Sequence, residues 1–227
     1  SSVDTVVYIF SSSMFNMDFI KQPMAIENRS MEIIATYLQS LQLDEKTTKV
    51  YSRIIHAAGD VDYAPIIKIS ADAINAGMEA LQAGADIYTD VEMVRTGINK
   101  RKLAAFGGKV HCLIADPSIA ATAKAEGITR SMAAMRHFGK DLNDNIVAIG
   151  NAPTALFEVL RLIKEEGIRP KCIVGIPVGF VGAADSKEAL ANNGLVPFIT
   201  VTGTKGGSPI AAAAVNAMMY LINNDRG

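Results

Sequence analysis

Three histidines, His56, His111 and His137, are the side chains of this sequence best suited to exchange a proton near neutral pH. His56 is predicted to lie in the last turn of a helix, where the small residues around it leave room for a bulky ligand. His111 lies in an apolar run beside Cys112, where histidine is more often a hydrogen-bonded core residue. His137 lies near a predicted helix C-terminus and is expected to be exposed. These positions favour His56 as a general acid by a small margin.

Four predicted strand-to-helix junctions contain glycines and helix-capping residues, which let backbone N–H groups approach a carboxylate or a phosphate. The four are Thr89–Met93, Gly150–Thr154, Gly175–Gly182 and Gly203–Pro209. In the first junction, Asp90 is predicted to cap the helix that follows it. Together the junctions indicate a broad cleft for an anionic ligand. None of them has the spacing of a dinucleotide fingerprint or of a P-loop, so neither NAD nor ATP is expected.

Arg130 is a candidate carboxylate-binding residue. It follows Thr129 at the predicted start of a helix, where the helix dipole disfavours a cation. An arginine placed against its local preference can serve a ligand, and its planar fork of donors suits a carboxylate. A solvent-exposed arginine without a ligand is the alternative interpretation.

The composition indicates a globular enzyme with a large core and excludes several other classes of protein. Of the 227 residues 49% are apolar, and the net charge of −1 argues against nucleic-acid binding as the main role. No apolar run reaches the length of about 18 residues that would span a membrane, and no signal peptide is expected. Cys112 and Cys172 lie in apolar runs and are predicted to be buried hydrophobic residues in a reducing cytoplasm, without a disulfide framework or a metal site.

Hydrophobic periodicity predicts a helical first third followed by alternating strands and helices, in a single domain over residues 1–227. Residues 1–14 are an extension, a tag or an edge strand. Helices are expected from Pro23 to Leu41, from Asp44 to Gly59 and from about Asp72 to Gln82. Apolar strands are expected at about residues 85–89, 109–115, 146–150, 171–178 and 196–202. This order predicts a three-layer α/β/α fold, doubly wound around a mainly parallel sheet of about five strands, with ligands beyond the carboxyl ends of the strands.

Several segments together resemble the precorrin-8X methylmutase family, also called precorrin isomerases, of cobalamin biosynthesis. They are IENRSMEII, IIHAAGDVDY, DVEMVRTGI, GITRSMAAM, IVAIGNAPTALFEVL and IVGIPVGFVGAADSKEAL, and the resemblance runs from about residue 20 to about residue 217. It implies a flavodoxin-like α/β fold, a homodimer, a corrinoid substrate and product, and no cofactor. The implied reaction moves a methyl group from C-11 to C-12 of the corrinoid ring and gives hydrogenobyrinate or its cobalt form.

The resemblance also implies roles for individual residues. His56 matches the family's proton donor, Ser30 matches its substrate-contacting serine, and Arg130 matches its substrate-binding arginine. Asn99 stands where some members carry threonine, and Asn151 lies in the matching GNAPTAL segment, so both are included as substrate-binding residues. Protonation of a ring nitrogen by His56 would draw electrons through the conjugated ring and weaken the bond to the migrating methyl group.

Two other functions remain open from the sequence. The first is a non-catalytic corrinoid carrier, which a carboxylate-binding cleft would also allow. The second is a flavodoxin-like domain that binds flavin or another phosphate ligand, and it rests on fold analogy alone. Within the methylmutase interpretation, the cobalt-containing and the metal-free corrinoid are both open as substrates.

Overall fold

The computed structural model describes residues 19–225, so the predicted extension at residues 1–14 lies outside the described part of the chain. The ten α-helices within it are α1 Pro23–Leu38, α2 Glu45–Ala58, α3 Ala73–Gln82, α4 Glu92–Gly97, α5 Lys100–Ala105, α6 Pro117–Glu126, α7 Arg130–Phe138, α8 Pro153–Glu166, α9 Ala183–Ala191 and α10 Ser208–Asp225. The six strands are β1 Ile67–Ile69, β2 Ile87–Thr89, β3 Val110–Cys112, β4 Ile146–Ile149, β5 Cys172–Gly175 and β6 Phe198–Val201. Among the described helices, none is both long and apolar enough to cross a membrane. A single domain over residues 1–227 stays a prediction.

The six strands form one sheet in the order β1-β6-β5-β4-β2-β3. Strands β2 to β6 are parallel, and their order is the 2-1-3-4-5 arrangement of flavodoxin-like folds. The predicted doubly wound, mainly parallel sheet is therefore confirmed. It has one strand more than the expected number of about five, because β1 pairs antiparallel with β6 at the edge. Three residues are too few to show an alternating pattern, and this segment lies between two predicted helices.

Successive residues of the central strands face opposite layers of helices, which explains why these strands are apolar throughout. In β4, Ile146 and Ala148 join the core formed with α2, α3 and α10. Val147 and Ile149 join the core formed with α7 and α8 on the other face. The predicted three-layer arrangement is thereby confirmed.

The two cysteines differ in their surroundings. Cys172 in β5 is fully buried, as predicted, and burial raises the pKa of its thiol to about 12. Cys112 in β3 is only partly buried, because β3 is the edge strand of the parallel part of the sheet. The prediction of a buried cysteine is therefore confirmed for Cys172 alone.

Helix α2, which carries His56, has the ends that the sequence predicts. The carboxylate of its N-cap residue Asp44 accepts the backbone N–H of Thr47 at 2.7 Å. Gly59 ends the helix in the left-handed conformation, with φ 62°, and its N–H donates to the carbonyl of Ile55. The helix packs mainly on α10 and also on α1. His56 therefore lies in the last turn of a helix that is supported along its length.

The helical layer formed by α7 and α8 contains a buried carboxylate. Glu158 of α8 is fully buried, and both Arg136 of α7 and Arg161 of α8 donate hydrogen bonds to it. The shortest distances to Glu158 Oε1 are 2.6 Å from Arg161 Nη2 and 3.1 Å from Arg136 Nε. Burial alone would raise the pKa of Glu158, but the hydrogen bonds from the two guanidinium groups outweigh it, and the pKa lies below its ordinary value. This carboxylate fixes α7 and α8 relative to one another.

Replacing Glu158 with Gln is expected to lower the free energy of unfolding by about 2 kcal/mol at neutral pH, because charge-assisted hydrogen bonds are lost. Since the pKa of Glu158 is lowered on folding, the contribution of this group is present above its ordinary pKa of 4.5 and is lost as the pH falls through the lower folded value. The stability difference between the two proteins should therefore shrink in acid. Urea unfolding over a series of pH values measures it.

The matched control for this change is Glu165→Gln. Glu165 accepts from the same Arg161 at 3.0 Å, but its side chain is 60% exposed. This substitution should change the free energy of unfolding by less than about 0.5 kcal/mol, since exposed ion pairs contribute little. Equal losses in the two variants would contradict the importance of the buried carboxylate.

Candidate functional site

The strand order reverses between β2 and β4, and this is the point where doubly wound sheets form a crevice beyond the carboxyl ends of their strands. Asp90 follows β2 at this point, and Gly150 follows β4. The Asp90 carboxylate accepts the backbone N–H groups of Gly150 at 2.9 Å, Asn151 at 3.0 Å and Ala152 at 2.7 Å. It therefore joins the two loops that border the crevice.

This arrangement corrects the predicted role of Asp90 as the cap of its own helix. Helix α4 has Val91 at its N-cap position and no side-chain cap. Asp90 instead satisfies backbone N–H groups in the turn before α8, because β2 and β4 are neighbours in the sheet. The Asp90 side chain is fully buried, and burial raises its pKa above the ordinary value even though the three hydrogen bonds lower it.

The loops after β5 and β6 also lie against one another at this edge of the sheet. Gly206 has φ 154°, and a Cβ atom at this position would lie 2.7 Å from the carbonyl oxygen of Ile176. The N–H of Gly207 donates to that oxygen at 3.0 Å, and the N–H of Gly179 donates to the carbonyl of Thr204 at 3.0 Å. The glycines of these two junctions thus permit a close contact between the backbones of the two loops. The four loops that follow β2, β4, β5 and β6 at this edge are called the crevice loops below.

Arg130 and Asn151 lie at the starts of two neighbouring helices. Thr129, which caps α7, and Thr154, in the first turn of α8, are joined by a hydrogen bond of 2.8 Å between their hydroxyl groups. Arg130 is the first residue of α7, Asn151 precedes the turn into α8, and both are exposed. The structure therefore brings these two predicted ligand-binding residues to the same side of the crevice.

His56 is exposed, and the loop that follows its helix reaches the same edge of the sheet. Asp60 in that loop accepts a hydrogen bond of 2.7 Å from the ammonium group of Lys205, in the loop after β6. The same ammonium group lies 5.5 Å from the ring centre of Tyr63. These contacts attach the end of α2, and His56 with it, to the loops at the carboxyl edge.

The other two histidines have different surroundings. The Nε2 atom of His111 lies 2.8 Å from the carboxylate of Asp86, and its ring stacks on Tyr88 with 4.6 Å between ring centres. His137 lies in the last turn of α7, at the opposite end of that helix from Arg130. Of the three histidines, His56 is therefore the one that lies at a helix end attached to a crevice loop, through the contact between Asp60 and Lys205.

Asn99 and Ser30 form their hydrogen bonds within the helical layer rather than with these loops. Asn99 is the N-cap of α5, where its side chain accepts the N–H of Lys102 at 3.1 Å, and its own N–H donates to Asn216 of α10 at 2.9 Å. Asn99 thus rests on the helix that also supports α2. Ser30 lies in α1, and its hydroxyl donates to the carbonyl of Ile26 at 3.0 Å. Among the described residues, no contact joins Ser30 to the crevice loops.

Sequence reasoning missed three charged residues at this edge, Asp60, Lys187 and Lys205. Lys187 of α9 is 1% exposed, and its ammonium group donates to the carbonyl of Lys205 at 2.6 Å. Its position on the apolar side of α9, between the fully buried Ala183 and Leu190, is the signal that could have identified it. The pair of Asp60 and Lys205 gives no such signal, because it joins positions 145 residues apart.

The carboxyl edge of the sheet combines the N-termini of several helices with an exposed guanidinium, amide and imidazole. The helix N-termini and the guanidinium suit carboxylates, and the imidazole can give and take a proton. Within the part of the chain that the structure describes, no group of three or more His, Cys, Asp or Glu side chains is arranged to hold a metal ion. The side chains present at this edge are suited to anion binding and proton transfer.

The sequence matches the family model of precorrin-8X methylmutase over residues 25–221. The chain belongs to the precorrin-8X methylmutase family. A cobalt-precorrin-8 methylmutase of Methanocaldococcus jannaschii is 42% identical to it over 213 residues, which are 91% of this chain and 97% of the relative. A precorrin-8X methylmutase of Sinorhizobium sp is also 42% identical, over 88% of this chain and 96% of the relative.

The fold is shared with a solved methylmutase structure, the precorrin-8X methylmutase of Thermus thermophilus. The TM-score is 0.81 at 36% sequence identity, and the match covers 89% of this chain and 97% of the other. The family implied by the sequence segments is thus confirmed. Methylmutases are isomerases, so the predicted class of enzyme is confirmed as well. The roles of the individual site residues stay predictions.

Proposed function

We propose that this chain catalyses the intramolecular shift of a methyl group from C-11 to C-12 of the precorrin-8 ring. The product is hydrogenobyrinate, or its cobalt form when the ring contains cobalt. The observation that carries the proposal is the attachment of the His56 end of α2 to the crevice loop after β6, in a chain of this family. A proton donor and carboxylate-binding groups thereby share one edge of the sheet.

His56 is the proton donor in this proposal. Protonation of a ring nitrogen draws electrons through the conjugated system and weakens the bond between C-11 and the migrating methyl group. The methyl group moves to C-12 of the same molecule, and the proton then returns from the ring nitrogen to His56. General acid catalysis of this kind contributes about 10²- to 10⁴-fold, and binding the macrocycle in its reactive shape contributes much of the rest.

The carboxylates of the substrate are bound by the polar groups at the starts of the helices. Arg130 offers a planar pair of donors at the N-terminus of α7, and Asn151 offers an amide beside the N-terminus of α8. Both helix ends carry partial positive charge, which favours an anion. Ser30 on α1 and Asn99 at the start of α5 contribute further polar contacts to the large ring and its side chains.

The proposal covers both the cobalt-containing and the metal-free substrate. The Methanocaldococcus jannaschii relative is named for cobalt-precorrin-8 and the Sinorhizobium sp relative for precorrin-8X, and the chain is 42% identical to each. Overall identity therefore favours neither form. A comparison of kcat/KM for the two substrates decides between them.

We infer further that the protein is a homodimer in the cytoplasm. In the single chain, helix α1 exposes the apolar side chains of Ile26, Ile33 and Tyr37 by 46%, 45% and 52%, and their spacing of seven and four residues places them on one face of the helix. Contiguous apolar surface of this kind is often covered by a subunit interface. The two cysteines are unpaired, which fits a reducing compartment. Analytical ultracentrifugation is expected to give twice the mass of one chain.

The proposed reaction is tested by incubating the purified protein with precorrin-8X or with cobalt-precorrin-8 and following the absorbance. We expect at least one of them to be converted to a product of unchanged mass, because an isomerisation neither adds nor removes atoms. Binding of the product without any conversion would instead indicate a corrinoid carrier. The absence of a spectral change with both substrates would contradict the proposed function.

Replacing Arg130 with Gln is expected to raise the KM for the corrinoid about tenfold or more, because a charge-assisted hydrogen bond to a substrate carboxylate is lost. Thermal stability should be unchanged or slightly higher, since a cation in the first turn of α7 opposes the helix dipole. Steady-state kinetics and thermal unfolding measure the two effects. The control is Lys171→Gln, which removes a positive charge just before β5, at the opposite edge of the sheet. An unchanged KM for Arg130→Gln would contradict the proposed contact.

A further inference from the structure

Lys187 is a buried cation on α9, the helix that follows the β5 loop. It is 1% exposed, and its ammonium group donates to the backbone carbonyl of Lys205 at 2.6 Å. Within the described residues no carboxylate pairs with it. Because the buried ammonium group is poorly solvated, the pKa of Lys187 is lowered to about 8. For stability alone, an apolar side chain of similar length would serve better here.

The carbonyl that Lys187 contacts belongs to a loop that is fixed from two sides. The backbone of Lys205 faces inward to Lys187, whereas its own ammonium group faces outward and donates to Asp60 at 2.7 Å. The next residue, Gly206, lies against the carbonyl oxygens of Ile176 and Pro177, where a Cβ atom would be 2.7 and 2.8 Å away. This loop therefore has little freedom to shift while all three contacts are in place.

Asp60 connects this loop to the helix that carries His56. Gly59 ends α2 three residues after His56, and Asp60 comes next in the chain and accepts the N–H of Asp62 as the short 3₁₀ helix begins. A shift of the loop after β6 would therefore be transmitted through the Lys205–Asp60 pair to the last turn of α2. The path from Lys187 to this turn contains one carbonyl contact and one ion pair.

We propose that Lys187 is a positioning residue for the methyl shift: its ammonium group fixes the Lys205 loop, and the Lys205–Asp60 pair then holds the His56 end of α2 against the crevice. Lys187 itself does not touch the substrate. The inference rests on the proposed function, because it takes His56 as the proton donor.

The test is Lys187→Met, which keeps the length and the burial of the side chain but removes the ammonium group. We expect kcat to fall about tenfold or more with KM changed little, because a small displacement of an acid from its target is costly. The melting temperature should be unchanged or higher, since a buried charge is removed. Glu188→Gln on the same helix is the control, because Glu188 is exposed, and it should leave kcat and the melting temperature unchanged.

A spectroscopic measurement separates positioning from a merely structural role. The chain has three histidines, so their ring C–H signals are easily resolved by NMR, and His56→Gln assigns the signal of His56. In Lys187→Met, the His56 signal should shift, whereas those of His111 and His137 should not. Movement of all three signals, or of none, would overturn the inference.

Asp60→Asn probes the same path from its other end and is informative even if Lys187→Met fails to fold. It should lower kcat to a similar extent, and the double variant should be no worse than the poorer single variant, because both changes interrupt one path. Full activity of Asp60→Asn would overturn the inference. If His56→Gln is inactive while Lys187→Met and Asp60→Asn are fully active, only this inference fails. If His56→Gln is itself fully active, the proposed function of His56 fails.

Discussion

Replacing His56 with Gln is expected to lower kcat by about 10²- to 10⁴-fold while the affinity for the product stays nearly the same. Glutamine is polar and similar in size but cannot exchange a proton, so binding should survive and the chemical step should not. Initial rates followed by absorbance measure kcat, and titration with hydrogenobyrinate measures the affinity. The two readouts together distinguish an enzyme from a carrier. A carrier has no kcat to lose, and its affinity for the product would be unchanged.

His137→Gln is the matched control for this experiment. His137 is also exposed and also lies in the last turn of a helix, but it is at the end of α7 far from Arg130. Its replacement should leave kcat within about twofold of the original value, because general acid catalysis requires hydrogen-bond reach. Comparable losses in the two variants, or a His56→Gln enzyme that keeps most of its activity, would contradict the assignment of His56.

Replacing Asp90 with Asn is expected to lower the free energy of unfolding by about 1–3 kcal/mol and to reduce kcat/KM. In the original protein the two carboxylate oxygens accept three backbone N–H groups, from Gly150, Asn151 and Ala152. An amide has one oxygen, so its NH₂ group must face at least one of these donors in a buried place. Urea unfolding and steady-state kinetics measure the two effects.

Asp44→Asn is the control for this second substitution. Asp44 also accepts a backbone N–H group, that of Thr47, but it is exposed, so water can replace a donor or acceptor that the substitution removes. Asparagine caps helices about as well as aspartate does, so stability and kcat/KM should change little. If Asp90→Asn were as harmless as Asp44→Asn, the loops after β2 and β4 would not depend on the Asp90 carboxylate.

The parts of the fold that could be predicted from sequence are those fixed by local patterns. Asp44 and Gly59 mark the ends of α2 because capping and left-handed conformations depend on single residue types. Strand β1 could not be predicted, since its three residues are held by pairing with β6, which is far away in the chain. The same reason explains the misassignment of Asp90, whose partners follow a different strand.

The predicted site depended on two kinds of information. From the residues alone, His56 had only a small advantage over His111 and His137, and its proposed role came from the family resemblance. The structure adds a physical distinction that no local pattern contains. His111 contacts Asp86 and Tyr88, whereas the end of the His56 helix is attached through Asp60 to the crevice loop after β6. Lys187 was missed because a sequence shows that a lysine faces a core but does not show what its ammonium group meets.

The packing of α2 on α10 has a consequence for the synthesis of the protein. On the ribosome the N-terminal part of a chain emerges first, so α2 is exposed long before its partner helix has been made. Until α10 arrives, the apolar face of α2, which includes Val50 and Ile54, has no cover from that helix. Nascent chains should therefore expose an apolar surface that chaperones can bind. The enzyme should gain its activity only in the final stage of translation and folding.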